Sequence, residues 1–302
     1  MTEEELFKNG YEVKEGKLLR YFGFCTSIEL PQEINVLGEN CFAYNEDINS
    51  FTGSKNLKII EQNAFYGCCN LERVCLCDGL ERIEKSAFSS CGLKEISIPQ
   101  SVKEIEEKAF SGCHSLNKIK LPETLESICD NLFDSCGGLK RIDLPEHLIS
   151  IGKESFAGCN KLESLTVPKS VEKIGDNAFG TYFSNLKIKF NCNNYRQDEN
   201  FIFGPDEKII SYIGYKSENE IAIPENTKSI GAFVFSRFSE LESVIFPASV
   251  EEIDETAFMY NFDNLKFETQ EKIKSIWLDM VQKRKQEQEF KMLNQFLDSC
   301  DK

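Results

Sequence analysis

A phenylalanine recurs along this chain at Phe42, Phe65, Phe88, Phe110, Phe133, Phe156 and Phe179, and again at Phe235 and Phe258. Neighbours in the series are 22 or 23 residues apart, with one gap of 56 between Phe179 and Phe235. Five positions before each stands an aliphatic residue: Leu37, Ile60, Ile83, Ile105, Ile128, Ile151, Ile174, Ile230 and Ile253. Such a fixed offset marks a repeat array. A unit of this size cannot enclose a core, so it must lay its apolar residues against those of the next unit.

The segment Leu93–Cys113 reads LKEISIPQSVKEIEEKAFSGC, and Leu116–Cys136 and Leu139–Cys159 follow the same pattern. Ile96 and Ile98 are two apart and face one side of a short strand. Pro99 has no backbone donor and ends it. Val102 and Ile105 carry the inward face through a second, turn-like leg. Phe110 and Cys113, three apart, are expected on a short helical turn. Stacking aligns the phenylalanines into a spine. Phe133 has neighbours on both sides, so its truncation is expected to cost more than that of Phe42 near the end.

The core I-P-x-x-V-x-x-I-x-x-x-A-F-x-x-C, carried by Ile98-Pro99, Val102, Ile105, Ala109-Phe110 and Cys113, resembles the BspA-like leucine-rich repeat family over roughly residues 9 to 267. The resemblance implies a right-handed solenoid used for recognition, often on the surfaces of bacteria and parasitic protists. The expected fold is a β-dominated leucine-rich-repeat solenoid of nine repeats with two β-hairpins and a long C-terminal α-helix. The segments YEVKEGKLLRYFGFCTSIELP (Tyr11–Pro31) and FIFGPDEKIISYIGYKSENEIAIP (Phe201–Pro224) both read as hairpins, with Tyr21 and Gly23 matching Tyr212 and Gly214. The first should cap the array and the second restart it. The expected divisions are a capping hairpin over 1–31, repeats over 28–190, a hairpin insertion over 191–222, two repeats over 221–268 and the helix over 269–302. In that last segment, Trp277 and its neighbours should cover the final repeat. Leu293, Phe296 and Leu297 could then serve as a second interaction surface.

Composition enters through compartment and chemistry. The opening MTEEELFKNG has neither the basic head nor the apolar run of a secretory signal, and no Asn lies in a glycosylation acceptor. A cytoplasmic setting is expected, with the cell surface as the alternative that the resemblance implies. No apolar run reaches the length of a membrane span. The 13 cysteines are accordingly expected to be reduced. Cys68, Cys91, Cys113, Cys136 and Cys159 share one repeat position and should form a buried ladder. Cys68, Cys69, Cys75 and Cys77 lack the paired spacing of a zinc site, and Cys75 and Cys77 are the thiols expected to be accessible. His114 and His147 fall at variable positions with no evident nucleophile beside them. There is no phosphate-binding glycine motif. The expectation is a non-enzymatic protein without cofactor or metal.

A partner site is expected on the concave sheet. The residues flanking the inward aliphatic of each strand point outward. They include six cations, Arg73, Lys118, Lys120, Arg141, Lys187 and Lys189, and two carboxylates, Glu95 and Asp143, a basic stripe with Lys118, Lys120 and Arg141 as near neighbours in a chain of net charge −15. The expected partner is another protein, through an acidic segment. The overall charge argues against nucleic acid.

Overall fold

The computed structural model describes residues 1–181, 186–215, 217–259 and 266–268, with 275, 278, 279, 282 and 286 besides. Each repeat makes three legs. The first is a strand of three or four residues, as in Arg73–Cys75, Glu95–Ser97 and Lys118–Lys120. The second is a two-residue strand, as in Arg82–Ile83 and Glu104–Ile105. The third is the turn that carries the phenylalanine. Strands of one leg pair in parallel with the same leg of the next repeat, and no register slips between Ser27–Glu29 and Lys118–Lys120. Proline after the first strand keeps that leg short.

The turns hold the spine. Rings of Phe42, Phe65, Phe88, Phe110, Phe133, Phe156 and Phe179 stack face to face, with centroids 4.9 to 6.1 Å apart. Their interplanar angles stay within 25°. Every one of these side chains is fully buried. The expected helical turn is corrected here. Cys113 N–H does bond to the Phe110 carbonyl at 3.3 Å. However, the residues two before and two after the phenylalanine are left-handed: Lys108 and Gly112 here, Asn131 and Ser135 in the next repeat. An α-helix cannot contain such residues. Alternating hand turns every second N–H along the solenoid axis. Lys108, Phe110 and Gly112 thus donate to the carbonyls of Asp130, Leu132 and Asp134. That third ladder of bonds offsets the cost of a left-handed side chain, about 1 kcal/mol per residue.

The N-terminal hairpin Tyr11–Lys14 with Lys17–Tyr21 pairs with the second-leg sheet at Val36–Leu37. It is preceded by the helix Glu3–Lys8, which sequence reading missed, closed by a Thr2–Glu5 capping box. Tyr21 lies 5.2 Å from Phe42 and begins the ring stack. Phe42 is therefore sandwiched between Tyr21 and Phe65, and the expected deficit of neighbours at this end is not found.

The second hairpin, Phe201–Phe203 with Lys208–Tyr212, is extended by a further strand that sequence reading missed, Arg196–Asp198. Its two faces belong to two cores. Ile202, Ile210 and Ile213 join the core of the preceding repeats. Phe201, Phe203, Ile209 and Tyr212 join a separate core with Phe235 and Phe258. Ion pairs span the junction: Lys208 with Asp176 at 2.9 Å, and Arg237 with Asp134 at 2.6 Å. The long helix expected over 269–302 lies, apart from five scattered positions, outside the described residues and gains no support. Leu293, Phe296 and Leu297 also lie outside them.

Because both ends of their stacks are filled, Phe42→Ala and Phe133→Ala are each expected to destabilise the chain by about 3–5 kcal/mol. Urea titration followed by tryptophan-independent circular dichroism measures this. A Phe42 variant that unfolds at the native midpoint would show that Tyr21 does not close the spine.

Candidate interaction surface

In the first-leg strands the central residue points in and its neighbours point out, as the pleat requires. Ile96, Ile119, Ile142, Leu165 and Ile188 are buried. Arg73, Lys118, Lys120, Arg141, Lys187 and Lys189 are all exposed. Register decides which of them meet. Lys118 is bridged to Arg141, and Lys120 shares its strand with Lys118. These three form one cationic cluster. Arg73 is held apart from it because Glu95 stands between, paired with Arg73 on one side and Lys118 on the other. Lys187 and Lys189 pair with Ser164 and Thr166, so an uncharged strand separates them from Arg141. The expected stripe is therefore interrupted: two patches with an outlying arginine. None of the six makes an ion pair among the described residues.

Beside the cluster is an open depression of about 370 Å3, lined by Val74, Glu95, Ile96, Ser97, Lys118 and Lys120. Its floor is apolar and its rim carries both signs of charge. In the second array the register-equivalent positions are Glu220 and Ala222, Ser243 and Ile245, and Lys266 and Glu268, with one lysine among them. No two cations are paired there, whereas Lys118 and Arg141 are bridged in the first array.

A second depression, of about 500 Å3, lies over the two-residue strands and includes Glu106, Glu107, Cys129 and Asp130. Its carboxylates have structural work. Glu106 accepts the Lys85 N–H, Asp130 accepts the Lys153 N–H, and Glu107 pairs with Lys85. Among the described residues no cluster of His, Cys, Asp and Glu could hold a metal. His114 and His147 are both exposed. A ring nitrogen of His114 lies 2.8 Å from the Ser135 carbonyl.

The cysteine ladder is buried. Cys68, Cys91, Cys113, Cys136 and Cys159 each donate the thiol proton to the phenylalanine carbonyl of the preceding repeat, at 3.1 to 3.2 Å. Loss of solvent pushes these thiols up, to about 12 for Cys68 and Cys113. Thiolate, the reactive form, is thereby suppressed. Cys75 is exposed, whereas Cys77 is half-buried and donates to the Gly53 carbonyl at 2.9 Å. Cys25 and Cys69 are exposed as well, and sequence reading singled out neither for access.

Residues 21–94, 81–204 and 208–298 match the BspA type leucine rich repeat region, in six copies. The chain belongs to that family. Its fold is similar to a leucine rich cell surface protein from Faecalibacterium prausnitzii, with 27% identity and a TM-score of 0.67. That likeness covers 80% of this chain and 69% of the other. It is also similar in fold to the pneumococcal vaccine antigen PcpA, with 22% identity and a TM-score of 0.55. There it covers 82% of this chain and 61% of the antigen, so this chain matches about three fifths of that protein. No curated protein matches the sequence. No helix among the described residues is long and apolar enough to cross a membrane.

In native protein a maleimide is expected to modify Cys25, Cys69 and Cys75 rapidly, and the five ladder thiols only after unfolding. Mass mapping of the labelled peptides reads this directly. Early modification of Cys113 or Cys136 would contradict the buried, hydrogen-bonded ladder.

Proposed function

We propose that this protein is a non-enzymatic recognition scaffold that takes an acidic segment of another protein on the first-leg sheet of its first array. The observation that carries the reading is the cluster of Lys118, Lys120 and Arg141. These are adjacent, exposed and, among the described residues, without ion-pair partners in a chain of net charge −15. Glu95 pairs with Lys118 alone of the three, and like charges side by side on a sheet repel unless further counter-charge joins them. An acidic partner supplies it, and the apolar floor formed by Val74 and Ile96 gives a neighbouring side chain somewhere to rest. Arg73, Lys187 and Lys189 flank the cluster and extend the attraction along the sheet. Family membership supports a protein partner, since repeat solenoids present broad surfaces rather than enclosed active sites.

A second reading concerns place. The similar protein from Faecalibacterium prausnitzii is described as a cell surface protein. We favour the cell surface over the cytoplasm on that likeness, with the same sheet then meeting an extracellular acidic ligand. Fractionation of the native cells, probed with an antibody to this chain, separates the two.

The binding test is capture of partners from native cells by the intact protein and by the triple variant Lys118→Glu, Lys120→Glu, Arg141→Glu. The expected result is loss of a partner whose native capture weakens with salt. A partner retained at native yield and native salt sensitivity places the site elsewhere.

A further inference from the structure

The two hairpins are copies of one device. Tyr11 pairs with Tyr21 and Phe201 with Tyr212; Glu12 pairs with Arg20 and Ile202 with Ser211. Each carries a bulge at the same step, which leaves Leu19 and Ile210 as the extra residues. Each ends in a tyrosine folded over a glycine. A Cβ on Gly23 or Gly214 would lie 2.5 Å from the hydroxyl of Tyr21 or Tyr212.

Their outer faces meet different surroundings. In the second hairpin Ile210 and Ile213 are only 2% exposed, because the first array lies against them. In the first hairpin the same positions are Leu19 and Phe22, exposed by 41% and 40%. Phe24, two residues on, is 91% exposed. Phe7 of the N-terminal helix packs against Phe22, rings tilted and centroids 5.0 Å apart, and adds to the apolar surface. The chain thus contains its own example of this face buried, and a second example left open.

Two more features distinguish the open end. Ser27–Glu29 is the outermost strand of its sheet. The Thr26 carbonyl and the Leu30 N–H turn toward the neighbouring repeat, so the N–H and C=O groups of Ser27 and Glu29 turn outward. Among the described residues nothing bonds to them. At Lys187–Phe190, the last first-leg strand before the second hairpin, by contrast, the Gln197 amide accepts the Ile188 N–H and donates to the Leu186 carbonyl, which closes that edge. An open strand edge invites another strand. Finally, the outer face of the first hairpin replaces Ile202 and Ser211 by Glu12 and Arg20. These opposite charges stand side by side and are both exposed, without an ion pair among the described residues.

A pair of opposite charges on one face is self-complementary about a two-fold axis: Glu12 of each copy meets Arg20 of the other. A strand edge is self-complementary in the same way when two copies run antiparallel. We propose that the N-terminal end is a docking surface for a second copy of this chain, joined head to head. Ser27–Glu29 pairs with its own copy, Phe22 and Phe24 pack across the axis, and two Glu12–Arg20 pairs flank it. Such an isologous contact uses the same patch on both copies and so closes at the dimer.

Sedimentation velocity of the intact protein over a wide concentration range, at moderate salt, tests this. The expected result is a reversible dimer. Phe24→Asp alters a side chain that supports no core, so the fold should persist by circular dichroism. Its association should weaken about tenfold or more, as on loss of an aromatic anchor. Arg20→Glu should weaken association too, and adding Glu12→Arg to it should restore the dimer. A native protein that stays monomeric throughout would overturn the inference. So would a dimer that Phe24→Asp and Arg20→Glu leave undiminished. The proposal is independent of the basic cluster: a monomer that still captures a charge-sensitive partner would remove this inference and leave that one standing.

Discussion

The stack of phenylalanine rings is the constraint on which this fold depends. Rings 4.9 to 6.1 Å apart match, within their tilt, the spacing of neighbouring strands. One repeat can therefore advance by one strand and one ring together. Any element with a longer rise per repeat, such as a helix laid across the axis, would pull the rings apart. The third leg is a flat turn for that reason. Its left-handed residues let it bond to the next turn as a strand bonds to a strand. Asn and Ser recur at those positions because short polar side chains tolerate the conformation best. Lys108 and Glu154 show that the ladder carries less suitable residues too.

An array built this way has no natural end. Each ring and each row of backbone groups expects a successor, and the chain meets this with one hairpin used twice. Tyr21 covers Phe42 at 5.2 Å and Tyr212 covers Phe235 at 5.3 Å, so the inner face does the same work in both copies. The outer face is free to differ. Where it must meet another array it carries Ile202, Ile210 and Ile213; where it ends the chain's own stack it carries charge beside apolar residues. The break between Phe179 and Phe235 is thus a junction of two cores sharing one two-sided partition, held by Asp176, Lys208 and Arg237.

What could be read in the sequence was whatever local spacing encodes. The period, the family, the inward rows and the buried cysteines all follow from residues whose side chains repeat at a fixed offset. The helical turn was misread because Phe110 and Cys113 are three apart in a helix and in a tight turn alike; hand is not written in spacing. The Arg196–Asp198 strand has no apolar alternation to announce it, since it is recruited by the hairpin it pairs with. The candidate surface was legible by position and, for Lys118, Lys120 and Arg141, by neighbourhood. Every cation named from the sequence does point outward, yet Glu95 divides Arg73 from Lys118. The order of outward residues already places Glu95 between them, and the pairing of strands keeps that order.

Stability and recognition use different atoms here. The spine, the thiol ladder and the turn bonds all lie inward or along the axis. The outward residues of the first-leg strands touch none of them. Selection for folding alone therefore leaves those positions unconstrained, apart from a mild preference against like charges side by side. The second array follows that preference, with Glu220, Ala222, Ser243 and Ile245. The first array goes against it where Lys118 is bridged to Arg141, a repulsion that Glu95 on the other side of Lys118 answers only in part, within a chain whose total charge is strongly negative. A departure that the fold does not need, and that electrostatics opposes in the isolated molecule, is best explained by something outside the molecule that reverses its sign.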